Sequence, residues 1–230
     1  MTEVNATRLA WDLKRRQNIE KFESFWKKKN ISFIPRTLFQ EKKSVWLEIG
    51  AGSGWFFTEM ARRNPETQFI AVERARDRGT RLVRKAKRSG LPNLAGFRGN
   101  AIPALLHGIP AGSVDRVFIL YPCPWVKNSQ RKNRWYLHPI MPHLARILKP
   151  GGELVWASDQ KFYIDECQWV SEQRHPLHTL KVGTISPNEW NGLEPFPTGR
   201  TKFERTFLGQ GQPCYELVSR RLETRVDLPS

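Results

Sequence analysis

The chain has 230 residues, enough for one substantial domain with its own core and too few for two comfortable ones. Hydrophobic residues make up 39% of it and the mean hydropathy is −0.55, a balance that excludes both a disordered chain and a membrane protein. The 38 Lys and Arg against 22 Asp and Glu leave a formal charge of +16, so the composition favours a polyanionic partner, nucleic acid above all.

Cysteine and histidine usage argues against a metal site or a disulfide framework. Cys123, Cys167 and Cys214 lie far apart and are odd in number, so no Cys-x-x-Cys motif is available. The five histidines never reach three ligands at metal spacing. We therefore expect no metal. Because the first residues are charged and no long apolar run follows, we expect a cytoplasmic protein without a membrane partner. We further expect a monomer or a homodimer.

From Ser44 onward, short β-rich apolar runs alternate with helical patterns, which predicts βαβ units. The predicted fold is α/β, a Rossmann-like and mostly parallel sheet of seven strands with its ligand sites at the carboxyl ends of the strands. Residues 1–40 form a basic N-terminal extension, residues 41–222 the domain and residues 223–230 a tail. The first five strands are predicted at Val45–Ile49, Gln68–Val72, Leu94–Phe97, Val114–Leu120 and Glu153–Ala157.

The C-terminal third has its own pattern. The run Lys149-Pro150-Gly151-Gly152 predicts a turn between a helix that ends near Leu148 and the fifth strand. A helix is predicted from Asp159 to about Arg174, and the Pro- and Gly-rich residues 186–199 are predicted to form a long loop. Thr201–Phe207 and Pro213–Arg220 are predicted to pair as an antiparallel hairpin at one edge of the sheet.

A glycine-rich bend follows the first strand, where the sequence is EIGAGSG from Glu48 to Gly54. Gly50 and Gly52 permit a tight turn and let backbone amides approach a ligand closely. The acidic Glu48 just before them favours a cationic ligand over a pyrophosphate, whose negative charge it would repel. S-adenosylmethionine fits that chemistry, because it carries an amino group and a sulfonium. The alternatives are a Rossmann protein that binds NAD and a glycine turn without a ligand.

Two further positions complete the predicted cofactor site. Glu73 ends the second strand, where a carboxylate can accept hydrogen bonds from both ribose hydroxyls. Asn100 and Ala101 follow the third strand, and the Asn amide is placed to meet the adenine edge. An Asn at that place is also a common turn residue, so a structural role is the alternative.

The loop after the fourth strand has the composition of a nucleic-acid contact. Its sequence, YPCPWVK from Tyr121 to Lys127, combines two stiffening prolines with Trp125 as a stacking face. Arg131, Lys132 and Arg134 follow, and we predict that they hold phosphate groups. The alternative is a buried Trp125 and a solvated charged surface.

Four separated signatures of the chain resemble the bacterial tRNA (guanine-N7)-methyltransferase family, over roughly residues 44–220. They are LEIGAGSG, the PxPWxK loop, LKPGGEL followed by Ser158-Asp159, and TKFE. The resemblance implies a class I S-adenosylmethionine-dependent methyltransferase that acts on a guanine in the tRNA variable loop. Together with the residues above, it assigns the cofactor to Glu48, Gly50, Gly52, Glu73, Asn100, Ala101 and Cys123, and the substrate to Lys127, Asp159, Thr201, Lys202, Phe203 and Glu204.

The chain departs from that family at Cys123, where the family has an acidic residue regarded as catalytic. Guanine N7 carries a lone pair and no proton, so its methylation needs no general base, and Asp159 and Glu204 remain as carboxylates for the guanine edge. Two alternatives stay open. One is an RNA cytosine C5 methyltransferase in which Cys123 is the nucleophile, and the other is a weakened paralogue that only binds tRNA.

One helical segment, residues 74–88, carries eight basic residues and a single acid, Asp77. At helical spacing, one face collects Arg74, Arg78, Arg81, Lys85 and Arg88, whereas Ala75, Leu82, Val83 and Ala86 are predicted to face the sheet. Such a face either binds an anionic partner or is merely solvated.

Overall fold

A computed structural model describes Ala6 and residues 19–27, 34–39, 44–185 and 199–223. Its strands are β1 (Ser44–Ile49), β2 (Thr67–Glu73), β3 (Leu94–Arg98), β4 (Val114–Leu120), β5 (Leu148–Ser158), β6 (Leu177–Thr184) and β7 (Tyr215–Arg221). Its α-helices are α1 (Ile19–Lys27), α2 (Trp55–Arg63), α3 (Arg76–Ser89), α4 (Ala101–Pro103), α5 (Met141–Ile147), α6 (Lys161–Arg174) and α7 (Lys202–Gly209). Short 3₁₀ segments are Arg36–Phe39, Asn128–Asn133 and Trp135–Leu137, and α4 runs on into a π-helical turn at Ala104–Gly108.

The seven strands form one sheet in the order β3-β2-β1-β4-β5-β7-β6. The first five strands are parallel, and β7 runs antiparallel to both of its neighbours, β5 and β6. The predicted seven-stranded, mostly parallel sheet with an antiparallel C-terminal pair is therefore confirmed. The strand order reverses between β1 and β4, and a reversal of this kind opens a crevice for ligands at the carboxyl ends of the strands.

Of the two strands predicted for that antiparallel pair, the second is correct and the first is wrong. Pro213–Arg220 does contain β7, but its partner is β6 (Leu177–Thr184), and the segment predicted as the first hairpin strand is the helix α7. The Thr201 hydroxyl accepts a hydrogen bond from the Glu204 N–H at 3.1 Å, the N-cap contact of a T-x-x-E capping box. The predicted loop falls on residues 186–198, outside the described residues, apart from Gly199.

The predicted turn before β5 lies inside that strand. The helix ends at Ile147 as expected, but β5 begins at Leu148, which pairs with Val114, and the register then shifts before Arg116 pairs with Glu153. The intervening residues form a bulge, with Gly151 at a φ of +77°. A bulge adds residues to one strand without ending it, which is why a turn signal occurs within a continuous strand.

Both faces of the sheet carry a core, because side chains alternate across a strand. On one face, Phe57, Phe69 and Phe118 pack edge to face with ring centroids 5.1 to 5.6 Å apart. On the other, Leu47 and Ile70 join the residues of α5 and α6 and the fully buried Trp156. Within the described ranges, none of the helices has the length and apolar character of a membrane span.

Gly54, the last glycine of the bend, is required both by its backbone and by helix packing. Its φ is +76°, and a Cβ on it would lie 2.4 Å from Cδ1 of Leu82 on α3. Gly90, after α3, has a similar φ of +66° but nothing within 4 Å of the same position. An alanine at Gly90 would therefore introduce backbone strain alone, whereas an alanine at Gly54 would introduce both backbone strain and steric overlap.

We predict that Gly54→Ala lowers the free energy of unfolding more than Gly90→Ala does, by about 1 to 3 kcal/mol, because only Gly54→Ala adds overpacking to the left-handed strain. Urea unfolding of the two variants beside the parent protein measures this difference. Equal losses would show that α2 and α3 separate easily, against the close packing at Leu82.

Candidate active site

The glycine bend after β1 is held against the end of β2 by its backbone. The N–H groups of Gly50 and Ala51 both donate to the Val72 carbonyl, at 2.8 and 3.1 Å. Gly50 and Gly52 have φ values of +84° and +56°, and a Cβ on either would meet nothing within 4 Å. The backbone conformation therefore demands glycine, and the space beside it is open to a ligand.

Glu48 lies beneath this bend as a buried carboxyl group. It is 3% exposed, and its Oε2 has no hydrogen-bond partner within the part of the chain that the structure describes. Burial, reinforced by the negative charge of Glu73, raises the pKa of Glu48 to about 8. A buried acceptor without a partner is costly, so this position favours a ligand that brings a cation or a donor.

Glu73 ties the bend to the next helix. Its Oε2 accepts the Gly52 N–H at 2.9 Å and its Oε1 accepts the Ala75 N–H at 2.7 Å, just before α3 begins. Arg78 on α3 lies 3.8 Å from Oε1. Each carboxylate oxygen has a further lone pair, so Glu73 can hold the bend and still accept hydroxyl groups of a ribose.

Asn100 and Ala101 follow β3 as predicted. The Asn100 side chain accepts the Ile102 N–H at 3.2 Å and so caps the short helix α4, while Ala101 is buried. The alternative structural role of Asn100 is therefore present, since its side-chain oxygen caps the helix. The contact between Asn100 and adenine stays a prediction.

The loop after β4 has an unusual backbone. Tyr121 and Trp125 adopt φ values of 51° and 46°, a left-handed conformation that costs a non-glycine residue about 1 to 3 kcal/mol. Tyr121 stacks on Phe203 of α7, with ring centroids 5.8 Å apart and planes inclined by 12°. Phe203 is 53% exposed, and Cys123 and Lys127 are exposed. Tyr121 and Trp125 are half-buried, so the strained backbone exposes Cys123 and Lys127 and keeps the two aromatic rings partly packed.

Arg134 is what holds this loop. Its guanidinium donates to the carbonyl groups of Pro124 (3.2 Å) and Trp125 (3.1 Å), and to Glu166 on α6 (2.8 Å). Arg131 also reaches Glu166, at 3.4 Å. Arg134 and Arg131 are only 3% and 7% exposed, so the prediction that they hold phosphate is wrong. Lys127 and Lys132 remain exposed to solvent.

Arg200 is the residue that sequence reasoning missed. It is fully buried and donates to Glu204 on α7, at 2.7 Å from Nη2 and 3.0 Å from Nε, and to Glu216 on β7. The Arg200 N–H also donates to Glu204, at 2.7 Å. Its charge lowers the pKa of Glu48, against the larger effects of burial and of Glu73. Arg200 therefore pairs with two buried carboxylates, Glu204 and Glu216, and its charge also acts on Glu48.

The predicted substrate residues divide between two environments. Glu204 is fully buried, and both of its oxygens accept hydrogen bonds from Arg200, so the structure gives it an ion pair and its contact with guanine stays a prediction. Asp159 is half-buried at the end of β5. Burial raises the pKa of the Cys214 thiol, and the negative charges of Glu204 and Asp159 add to that rise, so the two acids lie near one thiol. Lys202 is exposed beside them on α7.

This arrangement fits S-adenosylmethionine. The Glu48 oxygen without a partner among the described residues can bind a cationic group, and Glu73 can accept hydrogen bonds from a ribose. The open space beside Gly50 and Gly52 leaves room for both groups. No cluster of His, Cys, Asp and Glu able to hold a metal ion occurs among the described residues. The fold and the site together define a class I S-adenosylmethionine-dependent methyltransferase.

Comparison with known proteins agrees. Residues 42–217 match a protein family described as "Putative methyltransferase". The chain is 35% identical over 179 residues to the tRNA (guanine-N(7)-)-methyltransferase of Roseobacter denitrificans, covering 77% of this chain and 74% of that one. It is 36% identical over 141 residues to the enzyme of the same name from Caulobacter vibrioides, covering 61% of each chain. The chain therefore belongs to the tRNA (guanine-N7)-methyltransferase family.

Solved structures support the fold. The crystal structure of the 16S rRNA methyltransferase KamB superposes with a TM-score of 0.59 at 19% identity, covering 81% of this chain and 92% of that one. That of the antibiotic-resistance methyltransferase Kmr gives a TM-score of 0.54 at 17% identity, with 82% and 92% covered. At these identities the likeness concerns the fold alone.

We predict that Glu48→Gln changes how stability depends on pH. The pKa of Glu48 is about 8 in the folded protein, against an ordinary value of 4.5. Between these two pH values the folded protein keeps a proton that the unfolded chain releases, so stability falls as pH rises through that range. Glu48→Gln removes that fall, and its stability relative to the parent rises by roughly 2 to 4 kcal/mol from pH 5 to pH 8. Urea unfolding at several pH values, without cofactor, measures this.

The same titration in Glu73→Gln checks the cause. Because Glu73 contributes to the raised pKa of Glu48, that variant should show a smaller fall in stability than the parent. Parallel pH profiles for the parent and Glu48→Gln would contradict the raised pKa.

We predict that Arg200→Met destabilises the protein by about 3 to 5 kcal/mol, because it leaves Glu204 and Glu216 buried without their counterion. Adding Glu204→Gln should restore part of the loss, since one of the two stranded charges is then removed. Urea unfolding of the single and double variants measures the coupling. Strictly additive losses would show that the Arg200 charge does not stabilise these carboxylates.

Proposed function

We propose that the protein transfers the methyl group of S-adenosylmethionine to N7 of a guanine in the variable loop of tRNA. The carrying observation is the placement of two sites on adjacent strands. The buried carboxyl of Glu48 lies at the end of β1. The loop that exposes Cys123 and Lys127 follows β4, the hydrogen-bonded neighbour of β1, and the exposed Phe203 stacks on Tyr121 of that loop. The relatives named above as tRNA (guanine-N(7)-)-methyltransferases support the choice of tRNA and of N7.

On this proposal, the bound cofactor supplies an activated methyl group on a sulfonium. Glu48 binds its cationic part, whose positive charge favours the ionised carboxylate and so offsets the effect of burial on the pKa of Glu48. Glu73 accepts its ribose hydroxyls while holding the Gly52 amide in place. Asn100 and Ala101 lie at the adenine end, and Cys123 borders the site on the side of the substrate loop. The protein therefore contributes position and charge, and no covalent step on a side chain is needed.

The guanine is placed by stacking and by hydrogen bonds. Phe203 is exposed and already stacked on Tyr121, so a purine adds to an existing aromatic layer. On this proposal, Asp159, just after β5, accepts hydrogen bonds from the guanine N1–H and amino group, and Glu204 and Thr201 complete the substrate site. Lys127 and Lys202, both exposed, are suited to neighbouring phosphates.

Cys123, in place of the acidic residue of the family, is compatible with this chemistry. Guanine N7 presents a lone pair without a proton, so the attack on the methyl group requires no general base. A carboxylate there would stabilise the positive charge that develops on the purine, and its loss slows the reaction without abolishing it. We place this activity in the cytoplasm, with the enzyme acting as a monomer or a homodimer.

We predict that the purified protein forms N7-methylguanine in tRNA and that Cys123→Ser retains this product, because the thiol has no covalent role. Glu73→Gln should weaken S-adenosylmethionine binding roughly 10- to 100-fold, because a charged acceptor is lost. Nucleoside mass spectrometry of the treated tRNA identifies both base and atom, and calorimetry measures cofactor affinity.

The same experiment separates the alternatives. C5-methylcytosine that disappears in Cys123→Ser would instead establish the cytosine mechanism, in which a thiolate attacks the ring. Tight tRNA binding without any methylated nucleoside, and with cofactor binding intact, would establish a protein that only binds tRNA.

A further inference from the structure

The helix α3 presents a strongly basic surface that the proposed reaction does not use. Its buried side consists of Gly79, Leu82 and Ala86, which pack on the sheet. The prediction that Val83 also faces the sheet is wrong, since Val83 is 40% exposed. The opposite side carries five basic residues, and Arg74 lies just before the helix. We call these six residues the α3 basic face: Arg74, Arg78, Arg81, Arg84, Lys85 and Arg88.

The charge of this face is barely neutralised by the protein itself. Asp77 is the single acid within α3, and Arg78 reaches Glu73 at 3.8 Å. Arg81, Arg84 and Arg88 are exposed and make no ion pair with any residue that the structure describes. The six residues supply more than a third of the formal net charge of +16.

This charge pattern is unfavourable for an isolated helix. Arg81 lies one turn from both Arg84 and Lys85, and Arg84 one turn from Arg88, and each such pair of like charges costs about 0.2 to 0.5 kcal/mol. Arg76 and Arg78 stand in the first turn, where the helix dipole repels cations. Basic residues in the last turn recover only part of this cost. An anion bound along the face offsets it.

The position of α3 joins this surface to the active site. The helix begins three residues after Glu73, at the carboxyl end of β2, and runs back beside β3, which is an edge strand of the sheet. Its 14 residues extend about 21 Å. Along one strand of a nucleic-acid duplex, that length matches about six phosphates at roughly 3.4 Å each. A tRNA that places one guanine at the site has more than six further phosphates, so its backbone is long enough to lie along this face.

We propose that the α3 basic face binds the phosphate backbone of the tRNA, away from the methylated guanine. This inference rests on the proposed function and adds to it the surface that anchors the substrate. Phosphate contacts orient an RNA without reading its sequence, so the face contributes affinity and register, and selection of the guanine stays with Phe203, Asp159 and the β4 loop. Arginine suits this role because its planar guanidinium can bind a phosphate with two hydrogen bonds.

The test removes three charges from the centre of the face with Arg81→Gln, Arg84→Gln and Arg88→Gln together. A control removes three positive charges elsewhere with Lys149→Gln, Arg174→Gln and Arg220→Gln, which lie on β5, α6 and β7, away from the β3 edge of the sheet. Lys149 pairs with Asp115 and Arg220 with Glu153, so this control also reports any loss of binding that comes from broken ion pairs. Fluorescence anisotropy measures the tRNA dissociation constant over a series of KCl concentrations. Calorimetry measures S-adenosylmethionine affinity, and circular dichroism measures folding.

We expect the α3 triple variant to bind tRNA at least about tenfold more weakly and to lose roughly 2 to 3 from the slope of log affinity against log salt, about 0.7 to 0.9 for each lost phosphate contact. Its cofactor affinity and its single-turnover rate at saturating tRNA should equal those of the parent. The control variant should keep the parental slope.

Three outcomes would overturn the inference. They are an unchanged salt slope in the α3 variant, an equal loss in the control variant, and loss of binding to phosphatidylserine vesicles while tRNA binding stays unchanged. The last would assign the face to an anionic membrane. A parent protein that binds tRNA through α3 but forms no N7-methylguanine would contradict the proposed reaction and leave this surface in place.

Discussion

The carboxylate of Glu73 is the contact on which the rest of the site depends. One of its oxygens holds the amide of Gly52 and the other holds the amide of Ala75, so a single side chain joins the glycine bend after β1 to the start of α3. The position of the glycine bend and the position at which α3 begins are therefore fixed by the same side chain. Glu73 is also close enough to raise the pKa of the buried Glu48, and a site with these two acids suits a cationic methyl donor and disfavours a dinucleotide phosphate.

Buried arginines pair with the other glutamates around the site. Arg200 neutralises Glu204 and Glu216 behind the cofactor site, and Arg134, paired with Glu166, fixes the carbonyl groups of the substrate loop. In both cases a guanidinium donates to several acceptors in fixed directions, which a lysine cannot do. The positive charge of the chain therefore has two separate uses: internal arginines shape the site, and exposed ones on α3 remain for a polyanion.

Prediction from the sequence was accurate where a local pattern has one physical meaning. The five parallel strands, the glycine bend and Glu73 at the end of β2 follow from hydrophobic runs and glycine spacing. It failed at Thr201–Phe207, where two β-prone Thr and two Phe residues outweighed a T-x-x-E capping box that marks a helix start. It failed again at Arg131 and Arg134, because a basic run near a substrate loop has the same composition whether its side chains point to solvent or to a buried glutamate.

The sequence alone determined the fold class, the bend and its leading carboxylate, because these depend on backbone conformations and periodicities that are local. Only the tertiary structure decided which charges are buried. Glu166 lies 32 residues from Arg134, and Glu216 lies 16 residues from Arg200, so each ion pair exists only after the sheet has brought distant segments together. Burial and pairing are properties of the packed chain, and they separate a structural arginine from one that is free to bind RNA.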